Sequence, residues 1–313
     1  MSFVLILDVA YEEEIVRYRF ESSLGFVFEK ALYLPYTQFS GTFIGQVEAP
    51  FEAAQVQCVT AEYRSRIVHY GMPDKIVVKQ EKSHYKVTVT SRSYTMLLAQ
   101  NEPYPRINTN VTLQSLCQRN LVCDRISYED PTPQVGNIYV REHSTVWDAA
   151  VAYCIKASGR YPYISGCNTV MMTVGDRRNV DISGKVLLER GSEAQSGRIL
   201  SDVYMKELDD DYPFEAHDTS AASMGIVRTR YYPLDMQWLY DPQVGLQHKL
   251  DISNRAAKVK SCSYLGYLGE DLMDTVTGGG MSGKRINSIR VKGSPEGVIT
   301  TLKAYDDRYG QRS

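Results

Sequence analysis

The first hundred residues alternate apolar and polar side chains in short runs, as β-strands with one buried face do. The first such run is 16–20, and the others are 26–29, 43–47, 55–60, 76–79 and 85–90. Gly, Pro and acidic residues separate the runs, and no helical periodicity lies between them. Residues 1–96 are therefore predicted to form an antiparallel β-barrel or sandwich.

The pattern changes after Tyr94. A short apolar patch at 96–98 is followed by residues 101–106, which include Pro103 and Pro105. Proline fixes the backbone and lacks an N–H donor, so residues 101–106 are interpreted as a stiff connector between domains. The apolar patch is expected to pack where the chain leaves the first β-domain.

Residues 97–174 are predicted to form an α/β module. Residues 108–110 offer helix caps ahead of apolar residues at helical spacing between 113 and 117. A clearer helix begins at Ser144 or Thr145 and ends at Ser158-Gly159. Its apolar stripe comprises Val146, Trp147, Ala150, Val151, Cys154 and Ile155. The runs 161–164 and 169–174 then predict a β-hairpin.

Residues 175–313 are predicted to form a second β-barrel domain with insertions. Strand patterns occur at 186–188, 226–232, 286–292 and 298–305, and the last two flank a bulged loop at 293–297. Residues 246–264 fit a helix or a strand equally well. The chain is thus predicted to be a β-rich α+β protein, with an α/β module between two antiparallel, tube-like β-barrel domains.

Segments 76–94 and 289–305 resemble each other. Each contains a strand ending in Val-Lys, a polar turn and a Thr-rich strand ending in Tyr. Either the chain contains an internal repeat, or two hairpins are alike by chance. An internal repeat would make the two β-domains related.

The amino-acid composition argues against some classes of function for this protein. The 313 residues suit two or three domains, and 43% hydrophobic with 23% charged residues is typical of a globular protein. With 35 basic and 37 acidic residues and no basic stripe along the chain, sequence-specific nucleic-acid binding is not expected. Neither a signal peptide nor an apolar segment of membrane-spanning length occurs, so a soluble protein made in the host cytoplasm, with no membrane partner, is predicted.

Chemistry-bearing residues form no recognisable site. The six cysteines lack C-x-x-C spacing and are interpreted as free, mostly buried thiols. The five histidines are scattered and are expected to be structural. The window 201–220 holds seven acidic residues and one basic residue without calcium-loop spacing, so it is interpreted as a solvated face or the lining of an electronegative cavity. No catalytic, cofactor-binding or metal-binding residue is predicted.

The loop from Gly278 to Lys284 fits G-x-G-x-x-G and nearly fits the phosphate-binding loop. Both motifs need a helix directly after the loop, whose N-terminus faces the phosphate. Residues 285–291 alternate like a strand instead, and Arg285 stands where a Mg²⁺-binding hydroxyl would be. The segment is therefore predicted to be a flexible loop without nucleotide affinity.

Three segments carry a resemblance to a known family. They are VTVTSRSYTMLLAQNEPYPRINTNVTLQSLCQ at 87–118, TVWDAAVAYCIKASGRYPYI at 145–164 and INSIRVKGSPEGVITTLKAYD at 286–306. The sequence resembles the late control D-like hub proteins of contractile-tail baseplates, found in phages, tailocins and related injection machines. In that family a strand, an apolar Leu-Leu and a proline lead into a capped helix, and a hairpin ends the chain.

The resemblance implies a structural, non-enzymatic hub in a virion tail baseplate or a phage-tail-like particle. Such hubs are homotrimers with two barrels per chain, which adapt a six-fold tail tube to a three-fold spike. The implied partners are a tube or tube-initiator protein, a spike protein and other baseplate proteins, with no cofactor. The resemblance also implies roles for the 23 tyrosines at interfaces and for the acidic window in the lumen. The alternative is an enzyme, either a tail-associated cell-wall hydrolase or a nucleotide-binding enzyme that uses the loop from Gly278 to Lys284.

Overall fold

Seven strands form from the first third of the chain. The computed structural model describes residues 3–12, 14–46, 49–175, 177–255 and 257–305. The strands are β1 (Phe3–Ala10), β2 (Ile15–Phe20), β3 (Ser22–Ala31), β4 (Thr37–Gln46), β5 (Val56–Tyr63), β6 (Arg66–Gln80) and β7 (His84–Ser93). The six predicted runs fall in β2–β7, apart from Gln55, which precedes β5, and Val47, which lies outside the described residues. The sequence did not predict β1, because residues 3–7 are all apolar and do not alternate with polar residues.

The middle of the chain contains helices and short strands, and its extent as an α/β module stays a prediction. Its elements are α1 (Leu97–Gln100), β8 (Arg106–Val111), α2 (Leu113–Gln118), β9 (Ser127–Tyr128), β10 (Val135–Val140), α3 (Val146–Ser158), β11 (Tyr163–Ser165) and β12 (Thr169–Met171). Thr145 caps α3 in a capping box with Asp148, and Gly159 ends it with φ of 68°, as predicted. The predicted caps at 108–110 are wrong: these residues lie in β8, which pairs with β10, and Thr112 caps α2.

The last part of the chain contains mostly strands and one long helix. Its elements are β13 (Asn179–Asp181), β14 (Leu187–Ala194), β15 (Asp202–Met205), β16 (Phe214–His217), α4 (Thr219–Ser223), β17 (Thr229–Tyr232), α5 (Pro242–Asn254), β18 (Lys258–Leu265), β19 (Thr275–Thr277), β20 (Ser288–Ser294) and β21 (Gly297–Tyr305). The ambiguous segment 246–264 divides into the end of α5 and most of β18. Between β14 and β18, residues 196–254 form an inserted subdomain with its own small core.

Eleven strands join in one antiparallel sheet, in the order β14-β18-β21-β20-β3-β4-β7-β6-β5-β1-β2. The β-rich α+β class is therefore confirmed, whereas barrel closure and the domain boundaries stay predictions. The early and late parts of the chain meet where β3 pairs with β20. Gly293 is required in this pairing, because a Cβ there would lie 1.9 Å from Cε1 of Phe26 on the facing strand.

The sheet contains the same four-strand arrangement twice. In spatial order the first unit is β6-β7-β4-β3 and the second is β20-β21-β18-β14. In each unit, the strand that comes first in the chain (β3 or β14) lies at the fourth position in space, and the second strand (β4 or β18) lies at the third. The remaining hairpin, β6–β7 or β20–β21, occupies the first and second positions. The two hairpins with similar sequences, β6–β7 and β20–β21, occupy equivalent places in these units.

Apolar side chains form two large cores. One lies under the sheet and includes residues from both four-strand units, such as Phe39 and Leu302. The other belongs to the α/β module and packs on Cys58 of β5 and on Tyr70 and Met72 of β6. Leu98 is fully buried in this second core, which confirms that the apolar patch packs where the chain enters the module.

Candidate interaction surfaces

A buried ion pair between Lys30 and Asp271 connects three segments of the chain. Lys30 of β3 donates to a carboxylate oxygen of Asp271 and, at 2.7 Å, to the carbonyl oxygen of Gly166. The other Asp271 oxygen accepts from Ser165 Oγ at 3.0 Å and from the Gly166 amide at 2.8 Å. Burial raises the pKa of Asp271, but the Lys30 charge and these bonds outweigh it and bring the pKa below its usual value. The β11–β12 turn and the loop after β18 are thereby held on β3.

Glu270, beside this pair, is buried without a full set of partners. It is 4% exposed, one carboxylate oxygen accepts from the Leu268 amide at 3.2 Å, and Oε1 has no hydrogen-bond partner among the described residues. Burial raises the pKa of Glu270 from 4.5 to about 7, although backbone bonds and Arg178 oppose the shift.

Replacing Glu270 by Gln should therefore stabilise the protein at alkaline pH. The native carboxyl holds its proton more tightly than the unfolded one, so its contribution to stability falls as pH rises from 4.5 through about 7. One pKa unit corresponds to about 1.4 kcal/mol, which gives a gain of about 3 kcal/mol at pH 8 for Glu270→Gln and little change at pH 4. Urea unfolding of both proteins across this pH range measures the difference, and parallel curves would contradict it.

The inserted subdomain is attached through a chain of aromatic rings. Tyr33 contacts Tyr161 with ring centroids 4.8 Å apart, and Tyr161 stacks on His248 of α5 at 6.1 Å. His248 in turn lies 5.9 Å from the ring of Trp238. These contacts connect the sheet, the α/β module and the inserted subdomain.

A cleft of about 470 Å³ lies next to these rings, between α3 and α5. Two carboxylates line the cleft, and both accept hydrogen bonds from other residues of the chain. Asp148 accepts from the amide and hydroxyl of Thr145, each at 2.8 Å, in the cap of α3. Asp235 accepts from Lys249 Nζ at 2.8 Å. The cleft therefore offers no pair of uncommitted carboxylates for the acid and base steps of glycoside hydrolysis.

The loop from Gly278 to Lys284 is a packed turn rather than a phosphate cradle. Gly278, Gly279, Gly280 and Gly283 all have positive φ, between 61° and 95°. A Cβ at Gly278 would lie 2.8 Å from the backbone nitrogen of Ser183, so the loop sits closely against its neighbour. The chain then continues without a helix into β20, so the helix N-terminus that both nucleotide motifs need is missing from this segment.

The acidic window lies on the inserted subdomain. Residues 207–211 are exposed at the tip of the β15–β16 hairpin, which confirms the solvated loop. Asp218 caps α4, and Asp202 lies 2.7 Å from Nδ1 of His217. In the described part of the chain, no group of three His, Cys, Asp or Glu side chains is placed to hold a metal ion.

The remaining histidines and cysteines have structural surroundings. His69 is fully buried between the hydroxyls of Thr37 and Ser91, at 2.9 and 2.8 Å, and burial lowers its pKa to about 3. His84 lies 2.9 Å from Glu81, and His143 occupies a turn with φ of 61°. The cysteines are free thiols and four of the six are buried, as predicted. None of the helices in the described ranges is long and apolar enough to cross a membrane.

Among the described residues, β14 and β2 lie at the two ends of the strand order of the large sheet, each with one neighbouring strand. Exposed apolar side chains lie at the beginning of β14. Leu265 pairs with Ile299, and its amide donates to the carbonyl oxygen of Val186, so these three residues lie side by side. An open edge strand beside apolar side chains is a template for association with another chain. Sequence reasoning missed this surface, because only the strand register brings the three residues together.

Known proteins match this architecture in three dimensions. No protein-family model matches the chain, and no curated protein matches it either. The 43 kDa tail protein of prophage MuSo2 from Shewanella oneidensis superposes with a TM-score of 0.71 at 14% identity, covering 98% of this chain and 100% of that one. The chain has the fold of a phage tail protein.

Two further structures share this tail-protein fold. A tail protein from Neisseria meningitidis MC58 superposes with a TM-score of 0.73 at 13% identity, covering 98% of this chain and 97% of that chain. The E. coli c3393 protein matches with a TM-score of 0.55 at 10% identity, over 93% of this chain and 76% of that one. It is described as a component of the type VI secretion system that is similar to the bacteriophage T4 tail proteins gp27 and gp5.

Proposed function

We propose that the chain is the structural hub of a contractile-tail baseplate, in a phage or a phage-tail-like particle. The observation that carries the proposal is the match of the fold, which covers 98% of this chain and 100% of a prophage tail protein. The resemblance of the three sequence segments to hub proteins supports the same role.

The proposed hub is a homotrimer that adapts a six-fold tail tube to a three-fold spike. The repeated four-strand units support this, since three chains with two equivalent units each present six similar units at one end. The spike would be seated at the end where the chains follow three-fold symmetry. A closed ring leaves no unsatisfied interface between copies.

The proposed partners are a tail tube or tube-initiator protein, a spike protein and other baseplate proteins. The described likeness of the c3393 protein to two T4 tail proteins supports partners of this type. The proposed hub has no enzymatic activity. The hydrogen bonds that the two cleft carboxylates make within the fold and the close packing of the glycine loop support that view.

The test is a structure of the assembled particle in which the chain is located by a label. We expect three copies around the tail axis, with the two four-strand units of each chain superposing on each other. A copy number other than three would overturn the proposed hub. If the two units of a chain failed to superpose, the proposal that three chains present six equivalent units to a six-fold tube would be overturned.

A further inference from the structure

The cleft between α3 and α5 is lined by more cations than carboxylates. The cations are Arg141, Arg198, Lys249 and Arg255, and the carboxylates are Asp148 and Asp235. Asp235 faces two of these cations, with Lys249 at 2.8 Å and Arg141 at 3.9 Å. Asp148 is bonded to Thr145 in the cap of α3. The cleft therefore keeps an excess of positive charge, which attracts an anion.

The three arginines of the cleft have donors to spare. Arg198 is exposed, and its side chain has no ion pair or hydrogen bond in the described part of the chain. Arg141 lies too far from Asp235 for a charge-assisted hydrogen bond. Arg255 donates from Nη1 to the carbonyl oxygen of Ile252 at 2.8 Å. A guanidinium carries five N–H donors, so most donors of these side chains remain for a ligand.

The interior of the cleft is largely apolar and aromatic. Trp238 and Val151 are buried in it, whereas the Arg141 side chain is 56% exposed. Burial and the Lys249 charge lower the pKa of His248 to about 4, so its ring is a neutral aromatic wall at neutral pH. An apolar floor below exposed guanidinium groups is thus the character of this site.

We infer that the cleft binds an acidic segment of a partner protein. Carboxylates of that segment would pair with the three arginines, since a carboxylate matches the guanidinium fork, and an apolar side chain would pack on Trp238. The volume of about 470 Å³ lies within the range of ligand pockets, about 300–1,000 Å³, so it admits a few side chains rather than a folded domain.

The arrangement of the charges favours a peptide over a phosphate group. Arg141 precedes α3, Arg198 lies between β14 and β15, and Arg255 follows α5, so the cations come from three segments. Single charges spaced along a peptide fit such a set better than one compact anion does. The N-terminus of α3, where a phosphate would bind, already holds the carboxylate of Asp148.

Trp238 provides a readout inside the cleft. The chain has two tryptophans, so Trp147→Phe leaves Trp238 as the only fluorescent indole. In that background, the acetylated peptide Glu-Leu-Glu-Leu-Glu should change the fluorescence with a Kd below about 1 mM. The neutral peptide Gln-Leu-Gln-Leu-Gln has the same shape without the charges, and should bind at least about tenfold more weakly.

A matched pair of variants assigns the binding to the cleft. Arg198→Ala should weaken binding of the acidic peptide about tenfold, without a change in the urea midpoint, because the side chain is exposed and makes no contact to lose. The control Arg119→Ala removes an exposed arginine at the end of α2, outside the cleft, and should leave both the binding and the midpoint unchanged.

Several results would overturn the inference. They are an absence of binding, equal binding of the two peptides, and equal effects of Arg198→Ala and Arg119→Ala. Displacement of the peptide by an equal concentration of inorganic phosphate would assign the cleft to compact anions instead. Self-association in sedimentation that Arg198→Ala abolishes would make a second copy the occupant, through its exposed residues 207–211. The cleft lies within one chain, so the peptide titration tests it independently of the proposed hub.

Discussion

Replacing Trp147 by Ala is expected to lower the free energy of unfolding by about 3–5 kcal/mol. The side chain is 5% exposed and lies in the core of the α/β module, where its ring meets Tyr161 edge-on at 6.3 Å. Its removal takes away apolar burial and leaves a cavity between α3 and the neighbouring elements. Denaturant unfolding of the wild-type and Trp147→Ala proteins measures the loss.

Two control variants separate burial from aromatic chemistry. Trp147→Phe keeps most of the apolar volume and should lose clearly less than Trp147→Ala. Tyr104→Ala removes an aromatic ring that is 72% exposed, so it should change stability by no more than about 0.5 kcal/mol. A loss below about 1 kcal/mol for Trp147→Ala would show that the apolar stripe of α3 faces solvent.

Replacing Lys30 by Met is expected to cost about 3–5 kcal/mol, because the buried Asp271 carboxylate loses the cation that donates to it and keeps only the more distant Arg177, at 4.0 Å. Lys30 is 3% exposed, and its partner lies 241 residues away in the chain. The loss should grow with pH above the ordinary range of an Asp carboxyl, since a buried unpaired carboxylate is more costly than its protonated form. Thermal or urea unfolding at pH 4 and pH 8 measures both effects.

The matched control removes an exposed cation in the same way. The side chain of Arg17, 70% exposed, lies 2.8 Å from Asp8, so Arg17→Met should cost at most about 1 kcal/mol. Adding Asp271→Asn to Lys30→Met should recover much of the loss, because the buried carboxylate that lost its hydrogen-bonded cation is then gone. Equal losses for Lys30→Met and Arg17→Met would show that the buried pair does not hold the three segments.

Part of the repeated arrangement of strands was visible in the sequence. Lys79 and Lys292 stand at corresponding places in the two similar hairpins, which is the repeat that the sheet order reveals. Most of β14 was not predicted, because the predicted strand covered only 186–188 and β14 extends over Leu187–Ala194. The position of β14 at the end of the strand order is defined by strands that are distant in the chain.

Local patterns determined the elements whose signals lie within a few residues. Alternation placed β2–β7, and the caps at Thr145 and Gly159 fixed both ends of α3. Tertiary structure alone decided the strand β1, the position of β8 beside β10, and the split of 246–264 into helix and strand. It also decided the order of the eleven strands and the pair formed by Lys30 and Asp271. The physical reason is range: periodicity and capping act between near neighbours, whereas register, burial and ion pairing join residues that folding brings together.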